Sequence, residues 1–319
     1  MITEQISFVC PICAWRPGGD SYETQPYHGN SNTGKAGPQM ICFCQNCGLG
    51  IAYPSLTAHE LEDLYESGEY WQSSRPKVFK PNIYPGQYSL AKARFKFIEP
   101  FIDELKRKES ISVLDIGAGH GFFGLVAAKN NSLKLKEYYA IEADHTFRES
   151  LVKTWQKYCP QIPVRAEVSL EKINRTFDLV VLSHILEHVT NPKDFLQAAV
   201  ARTRPGGFIF ADVPHQDYLF KEDVFPHLHF FNRESFKKLF ESSGLSVKAL
   251  SCFGRDMERS PMNYRNHNKP IVKLSQIFYK MRYVLPEYFI FGFYNWYFGA
   301  GQQNRNGTWI RALAQIPKF

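Results

Sequence analysis

A 319-residue chain that is 44% apolar and 15% aromatic, with no repeat or low-complexity tract, can bury a large core, which excludes a disordered or fibrous polypeptide. Lys and Arg exceed Asp and Glu by seven, and the excess is regional: from Arg255 onward ten basic residues stand against three acidic ones, so all that precedes is neutral in sum. Residues 1–10 lack a basic segment followed by a long apolar run, so no secretory leader is expected and a cytoplasmic location is.

Five of the seven cysteines precede residue 48. Cys10 and Cys13 form one C-x-x-C pair, Cys44 and Cys47 a second, with 30 residues between them. Each pair can place two thiolates on one tetrahedral ion, so a structural zinc ribbon over residues 1–54 is the expected reading, ahead of a disulfide framework or a redox pair. Gly48 suits the tight turn after the second pair. Cys42 alternates with Cys44 on an expected strand and reads as a packed thiol that could replace a ligand; Cys159 and Cys252 read as core residues.

Residues 55–88 read as a helical connector. Ser55 to Tyr65 carries helix signals after Pro54, and the Pro/Gly-rich run from Pro76 to Gly86, with Tyr70 and Trp71, reads as a segment able to fold over a ligand. Ser89 to Lys106 is predicted as one amphipathic helix with Leu90, Ala93, Phe97, Phe101 and Leu105 as its core stripe.

The most informative stretch follows. Val113 to Ile116 is an apolar run containing Asp115, and Gly117, Gly119 and Gly121 then make a turn into a predicted helix from Phe122 to Lys129. Alternate glycines let backbone N–H groups approach a ligand, and the helix begins there with its positive dipole end. Gly119 to Gly124 also fits the dinucleotide pattern G-x-G-x-x-G, but Asp115 at the strand end would repel a pyrophosphate and favour a cationic ligand. S-adenosylmethionine, with its sulfonium and ammonium, is such a ligand. Tyr138 to Glu142 reads as a second strand ending in an acid suited to two ribose hydroxyls. Phe177 to His184 reads as a buried strand running into Leu186-Glu187-His188, and Arg204-Pro205-Gly206-Gly207 precedes another strand, Phe208 to Val213.

That ordered series resembles the class I S-adenosylmethionine-dependent methyltransferases over roughly residues 85–254. The resemblance implies an α/β, Rossmann-like seven-stranded sheet occupying residues 89–319. It further implies a cofactor site at Asp115, Gly117, Ala118, Gly119, Gly121, Phe122, Glu142, Ala143, Ser183 and His184, with Glu187 and His188 shaping their turn. The preceding pattern, Cys44-x-x-Cys47-Gly48-Leu49 with Pro54, Glu60-Leu61, Leu64-Tyr65 and Tyr70-Trp71, resembles a bacterial group acting on sugars of surface polysaccharides and on nucleotide-linked deoxysugars.

Histidines crowd downstream of Pro214. Histidine titrates near neutrality, so His227 and His229 are the candidate proton acceptors. Phe225 to Asn232 resembles the H-E-H-x-x-Y/F-F-S segment of sugar C-methyltransferases, where the second histidine, matched by His229, is implicated in catalysis. Leu228 and Pro226 stand where that family has a carboxylate and a tyrosine, which shifts the expectation from carbon to oxygen methylation. Metal binding by His227 and His229 is a weaker reading, because no further ligand stands at helpful spacing.

Gly244 to Leu250 is predicted as the sixth strand and Gly307 to Ile316 as an antiparallel seventh. Between them, residues 255–304 form an aromatic, basic insertion that could close over an anionic acceptor such as a sugar phosphate or nucleotide sugar, bind RNA or a membrane surface, or serve as a solvated lid or subunit contact. Pro286, Glu287 and Asn295 argue against a membrane-spanning helix there. The expected function is O-methylation of a sugar or nucleotide sugar, with S-adenosylmethionine as cofactor and structural zinc. The alternatives are sugar C-methylation, RNA methylation, or an inactive cofactor-binding scaffold.

Overall fold

The structure is a computed structural model that describes residues 7–18, 22–29, 37–66, 84–130, 133–263 and 269–318. Two sheets organise the chain. The larger has seven strands: β4 (Ile111–Ile116), β5 (Leu135–Ile141), β6 (Val164–Glu167), β7 (Phe177–Ser183), β8 (Thr203–Pro214), β10 (Ser246–Asp256) and β11 (Gly307–Gln315), in the order β10-β11-β8-β7-β4-β5-β6. β4 pairs in parallel with β5 and β7, and β11 runs antiparallel to β8 and β10. The strand order therefore reverses between β4 and β7, and the carboxyl ends of these two strands flank a topological switch point, where open α/β sheets bind ligands.

The smaller sheet joins β1 (Thr24–Pro26), β2 (Met40–Phe43) and β3 (Gly50–Tyr53) to β9 (His229–Phe230), which comes from the far end of the chain. Gly50 pairs with Phe230 and Ile51 with His229. The cysteine-bearing segment thus shares a sheet with the histidine segment, and Phe8, Leu49 and Ile51 share a core with Leu182, Leu186 and Phe231 beneath the large sheet. Cys42 is fully buried in that core.

α1 (Ala58–Glu66) opens with a reciprocal cap: Glu60 accepts from the Thr57 N–H at 2.8 Å, and the Glu60 N–H donates to Thr57 Oγ1 at 3.2 Å. The single helix predicted for Ser89 to Lys106 is instead α2 (Pro85–Ile98), a 3₁₀ turn at Glu99–Phe101, and α3 (Asp103–Lys106). Pro100 supplies no N–H and interrupts the ladder, so the stripe is broken at Phe101, which is 42% exposed, while Leu105 beyond it is buried. Tyr70, Trp71 and the run from Pro76 lie outside the described residues, apart from the last residues before and within the first turn of α2. The sixth strand also exceeds its predicted end, running to Asp256 through two register shifts, so Cys252 sits buried within it.

At the opposite end of the large sheet from the switch point, Asp178 of the Phe177-Asp178 pair is a structural tie. Fully buried, it accepts from Lys108 Nζ and Arg204 Nη1 at 2.5 Å each and from the Ser112 N–H at 2.9 Å, and these cations hold its carboxyl below the usual range. Asp178→Ala strands one buried amide and unpairs two cations that are each 40% exposed, so equilibrium urea unfolding is expected to show a loss of about 1–3 kcal/mol.

Candidate functional site

Four strand ends build one edge: Asp115 on β4, Glu142 just past β5, Ser183 and His184 at the end of β7, and Asp212 on β8. The glycine turn lies between the first two. Gly117 and Ala118 both donate to the Ile141 carbonyl, at 2.8 and 3.0 Å, which folds the turn over β5. Gly117, Gly119 and Gly121 have φ of 70°, 51° and 68°, the left-handed region that a Cβ penalises. A Cβ at Gly119 would meet nothing within 4 Å, so the turn leaves open space at its crown. Gly121 caps α4 (Phe122–Ala128), which is shorter than the predicted helix.

Asp115 is almost fully buried and accepts from Tyr138 Oη at 2.8 Å. Burial raises its pKa to about 7, partly offset by Tyr138 and by the Arg94 charge. Glu142 accepts from the Gly119 and Asp144 N–H groups at 2.8 and 3.1 Å, and burial also raises its pKa. Ala143 is exposed, its carbonyl accepting from Arg148. Phe122 is buried against Tyr88 of α2, with ring centroids 5.6 Å apart. Tyr84, just before α2, stacks on His120 of the glycine turn at 4.5 Å.

His184 stands out. Its φ of 56° is unusual for a residue with a side chain, and Glu187, three residues on, takes its Nδ1–H at 3.1 Å. Glu187 is buried, yet its pKa falls to about 2 because His184 and the neighbouring histidines outweigh desolvation. The His184 side chain is 30% exposed while Glu187 is 1% exposed, so the pair presents an imidazole outward and a carboxylate behind it. The expected proton acceptors are placed differently. His229 is 3% exposed, bonds the Val189 backbone, and is driven down to about 4 by burial. His227 is equally enclosed, its Nδ1 3.0 Å from Asp217 Oδ2.

Sequence reasoning missed Arg94, Asp212 and Arg311. Arg94 Nε on α2 reaches Asp212 Oδ2 at 2.5 Å, and Arg311, fully buried on β11, lies 3.6 Å from the same oxygen. Arg311 also donates to the Ala300 carbonyl at 2.8 Å, tying the end of the insertion to the sheet. The available signal was a lone charge inside each of two apolar strands, Phe208 to Val213 and Trp309 to Ala314, since a buried charge requires a partner.

In the N-terminal segment, Cys10, Cys13, Cys44 and Cys47 converge, with all four sulfurs within 4.8 Å of one another. Their two turns match: Ala14 and Gly48 both have positive φ, 57° and 72°, and each N–H bonds the carbonyl of the first cysteine, Cys10 or Cys44, at 2.9 and 2.7 Å.

The insertion contains α5 (Lys269–Met281) and α6 (Glu287–Phe298). α6 packs on α2 through Phe291, whose carbonyl accepts from Ser89 Oγ at 3.1 Å. No helix among the described residues is long and apolar enough to cross a membrane.

A family model described as "Methyltransferase domain" matches residues 90–250, half of the chain. The chain belongs to the methyltransferase-domain family. The S-adenosylmethionine-dependent assignment of this domain agrees with the acid-glycine turn and with strand order. The ubiquinone biosynthesis O-methyltransferase of Paracidovorax citrulli is 29% identical over 124 residues, 34% of this chain and 46% of that protein. The chain therefore spans about half the length of this curated relative. Among solved structures, a chain of the complex between the Haloferax volcanii Trm112 methyltransferase activator and a methyltransferase aligns with a TM-score of 0.50 at 9% identity, covering 80% of this chain and 98% of that one, and shares the fold. Magnesium protoporphyrin IX methyltransferase from Synechocystis, solved with bound S-adenosylhomocysteine, aligns at 0.48 and 10% identity over 82% of this chain and 100% of its own.

Proposed function

We propose that the chain transfers a methyl group from S-adenosylmethionine to a hydroxyl oxygen, with His184 as the base. The observation that carries this is the His184–Glu187 pair at the end of β7, on the same strand-end edge as Asp115 and Glu142. Asp115 would meet the cofactor's ammonium, and Glu142 would exchange its backbone bonds for the ribose hydroxyls. The crown of the turn at Gly119, with Ala118 and Gly121 beside it, would admit the cofactor against backbone, and Ser183, whose Oγ is buried without a hydrogen-bond partner among the described residues, would face its methionine part. Ala143 and Phe122 would flank the adenosine end. When bound, the cofactor supplies an activated methyl on a sulfonium.

The chain's own contributions are alignment, water exclusion and removal of one proton. With Nδ1 committed to Glu187, His184 has Nε2 left to take the acceptor's proton, and the ionised carboxylate behind it stabilises the imidazolium that results. His229 and His227 then act by holding the acceptor-side segment, replacing the direct role expected of them. The acceptor is a sugar or nucleotide-sugar hydroxyl, on the resemblance of the N-terminal pattern and the basic end region. Similarity to an O-methyltransferase supports oxygen as the methylated atom.

A second reading, a lipid-linked acceptor at a membrane surface, is favoured by the insertion, where Ile277, Tyr279, Tyr283, Val284, Tyr288 and Phe289 stand exposed beside Lys280 and Arg282. The test is to incubate the chain with methyl-labelled cofactor and, separately, nucleotide sugars, lipid-linked sugars and RNA, following S-adenosylhomocysteine and the labelled product. A methyl ether supports the proposal. A C-methyl or methylated RNA product, or cofactor binding without turnover on any of them, refutes it.

The four cysteines would hold structural zinc, since their sulfurs already meet in one cluster. Cys44→Ser is expected to lower bound zinc and to cost several kcal/mol, on the order of 10 °C in melting temperature by calorimetry.

A further inference from the structure

We propose that Glu187, His188 and His227 form a second metal site, separate from the four cysteines, for a divalent ion of the zinc class. Each residue offers one ligand atom, and the three atoms lie within 4.8 Å of one another. Glu187 is 1% exposed; its Oε1 serves His184, and its Oε2, fully enclosed, has no hydrogen-bond partner among the described residues. A buried carboxylate oxygen left over in this way is costly unless something positive meets it. The imidazoles of His188 and His227 converge on the same place, their rings edge to face with centroids 4.6 Å apart.

Behind His227 stands the arrangement usual for a metal-ligating histidine, a carboxylate on the other ring nitrogen. His227 Nδ1 is 3.0 Å from Asp217 Oδ2, and Lys221 Nζ fixes that oxygen from 2.8 Å. Asp217 thus stands on the Nδ1 side of His227 as an ion-pair partner, and Nε2 would be the nitrogen turned to the ion. Two nitrogens and one carboxylate oxygen suit zinc, cobalt or a similar borderline ion rather than magnesium or calcium, and three protein ligands leave a fourth position open. The ion would clip the turn after β7 to the segment entering β9, two pieces already joined where the Leu228 and His229 N–H groups both donate to the Glu187 carbonyl, at 2.7 and 3.1 Å. It would thereby hold the turn that carries His184.

The two sites differ in donor atoms, so cobalt distinguishes them. The full chain, produced in cobalt-supplemented medium, is assayed for metal by plasma mass spectrometry and for absorption. The expected result is two ions per chain, one giving a near-ultraviolet thiolate charge-transfer band and the other only weak visible absorption. His188→Gln and His227→Gln should each lose one ion while keeping the charge-transfer band and the circular dichroism of the wild type. Should either fail to fold, Asp217→Asn leaves all three ligands in place and should weaken the second ion about 10- to 100-fold in a chelator competition. A single ion without a charge-transfer band would support this site and remove zinc from the cysteines. A single ion with that band, unaffected by His188→Gln, His227→Gln or Asp217→Asn, would overturn the proposal.

Discussion

His184→Ala is expected to lower kcat by about 10²- to 10⁴-fold while leaving S-adenosylmethionine affinity within a few fold, the loss typical of a missing general base. The expectation follows from placement. His184 is the member of its cluster that combines an accessible ring with an ionised carboxylate on the other nitrogen. Glu187→Gln should lose part of the same rate, because the amide cannot stabilise the imidazolium. His229→Ala should act mainly on stability, since that ring is enclosed and bonded to the Val189 backbone. Single-turnover rates with labelled cofactor separate these cases: a chemical step unchanged in His184→Ala and slowed in His229→Ala would return the base to His229.

Asp115→Ala is expected to weaken cofactor binding by about 100-fold, the worth of a charged hydrogen bond in a dry site. The wild type should also bind with a characteristic pH dependence. Because burial raises the Asp115 pKa to about 7, the proton must leave before the carboxylate can meet the cofactor's ammonium. The sign follows: a cationic ligand favours the ionised form, so affinity rises with pH through 7 and falls below it. With that pKa, affinity at pH 6 should be roughly eightfold below that at pH 7.5, and the dependence should vanish in Asp115→Ala. Across the same range the unliganded fold responds in the opposite sense. Between the usual carboxylate range and 7, the folded chain keeps a proton that the unfolded chain releases, so this group contributes less to stability as pH rises.

Local chemistry made much of this legible. The acid-glycine turn needs no distant contact to be recognised, because positive φ at Gly117, Gly119 and Gly121 is a local demand. The C-x-x-C turns are likewise local, and their convergence into one cluster follows from two equivalent knuckles. β4, β5, β7, β8 and β11 could be read in chain order because each carries an apolar run, whereas β6, the four residues Val-Arg-Ala-Glu, is too short and too polar to show as one. What failed to show in the sequence depends on contacts far apart in the chain. Nothing near Ile51 announces that it pairs with His229, and that pairing encloses the expected base. Asp212 and Arg311 look like unrelated charges until β8 and β11 lie side by side. Pro100 is the exception, a local break visible in the sequence but masked by apolar spacing that continues through it.

Calorimetric titration with S-adenosylmethionine at pH 6.5, in two buffers of different ionisation enthalpy, measures both affinity and the protons exchanged on binding. With Asp115 titrating at about 7 and ionised in the complex, roughly three-quarters of a proton should be released, and none in Asp115→Ala, which should also bind far more weakly. Binding of equal strength in both proteins with no proton release, or no binding by the folded wild type, would contradict the placement of the cofactor on this edge of the sheet.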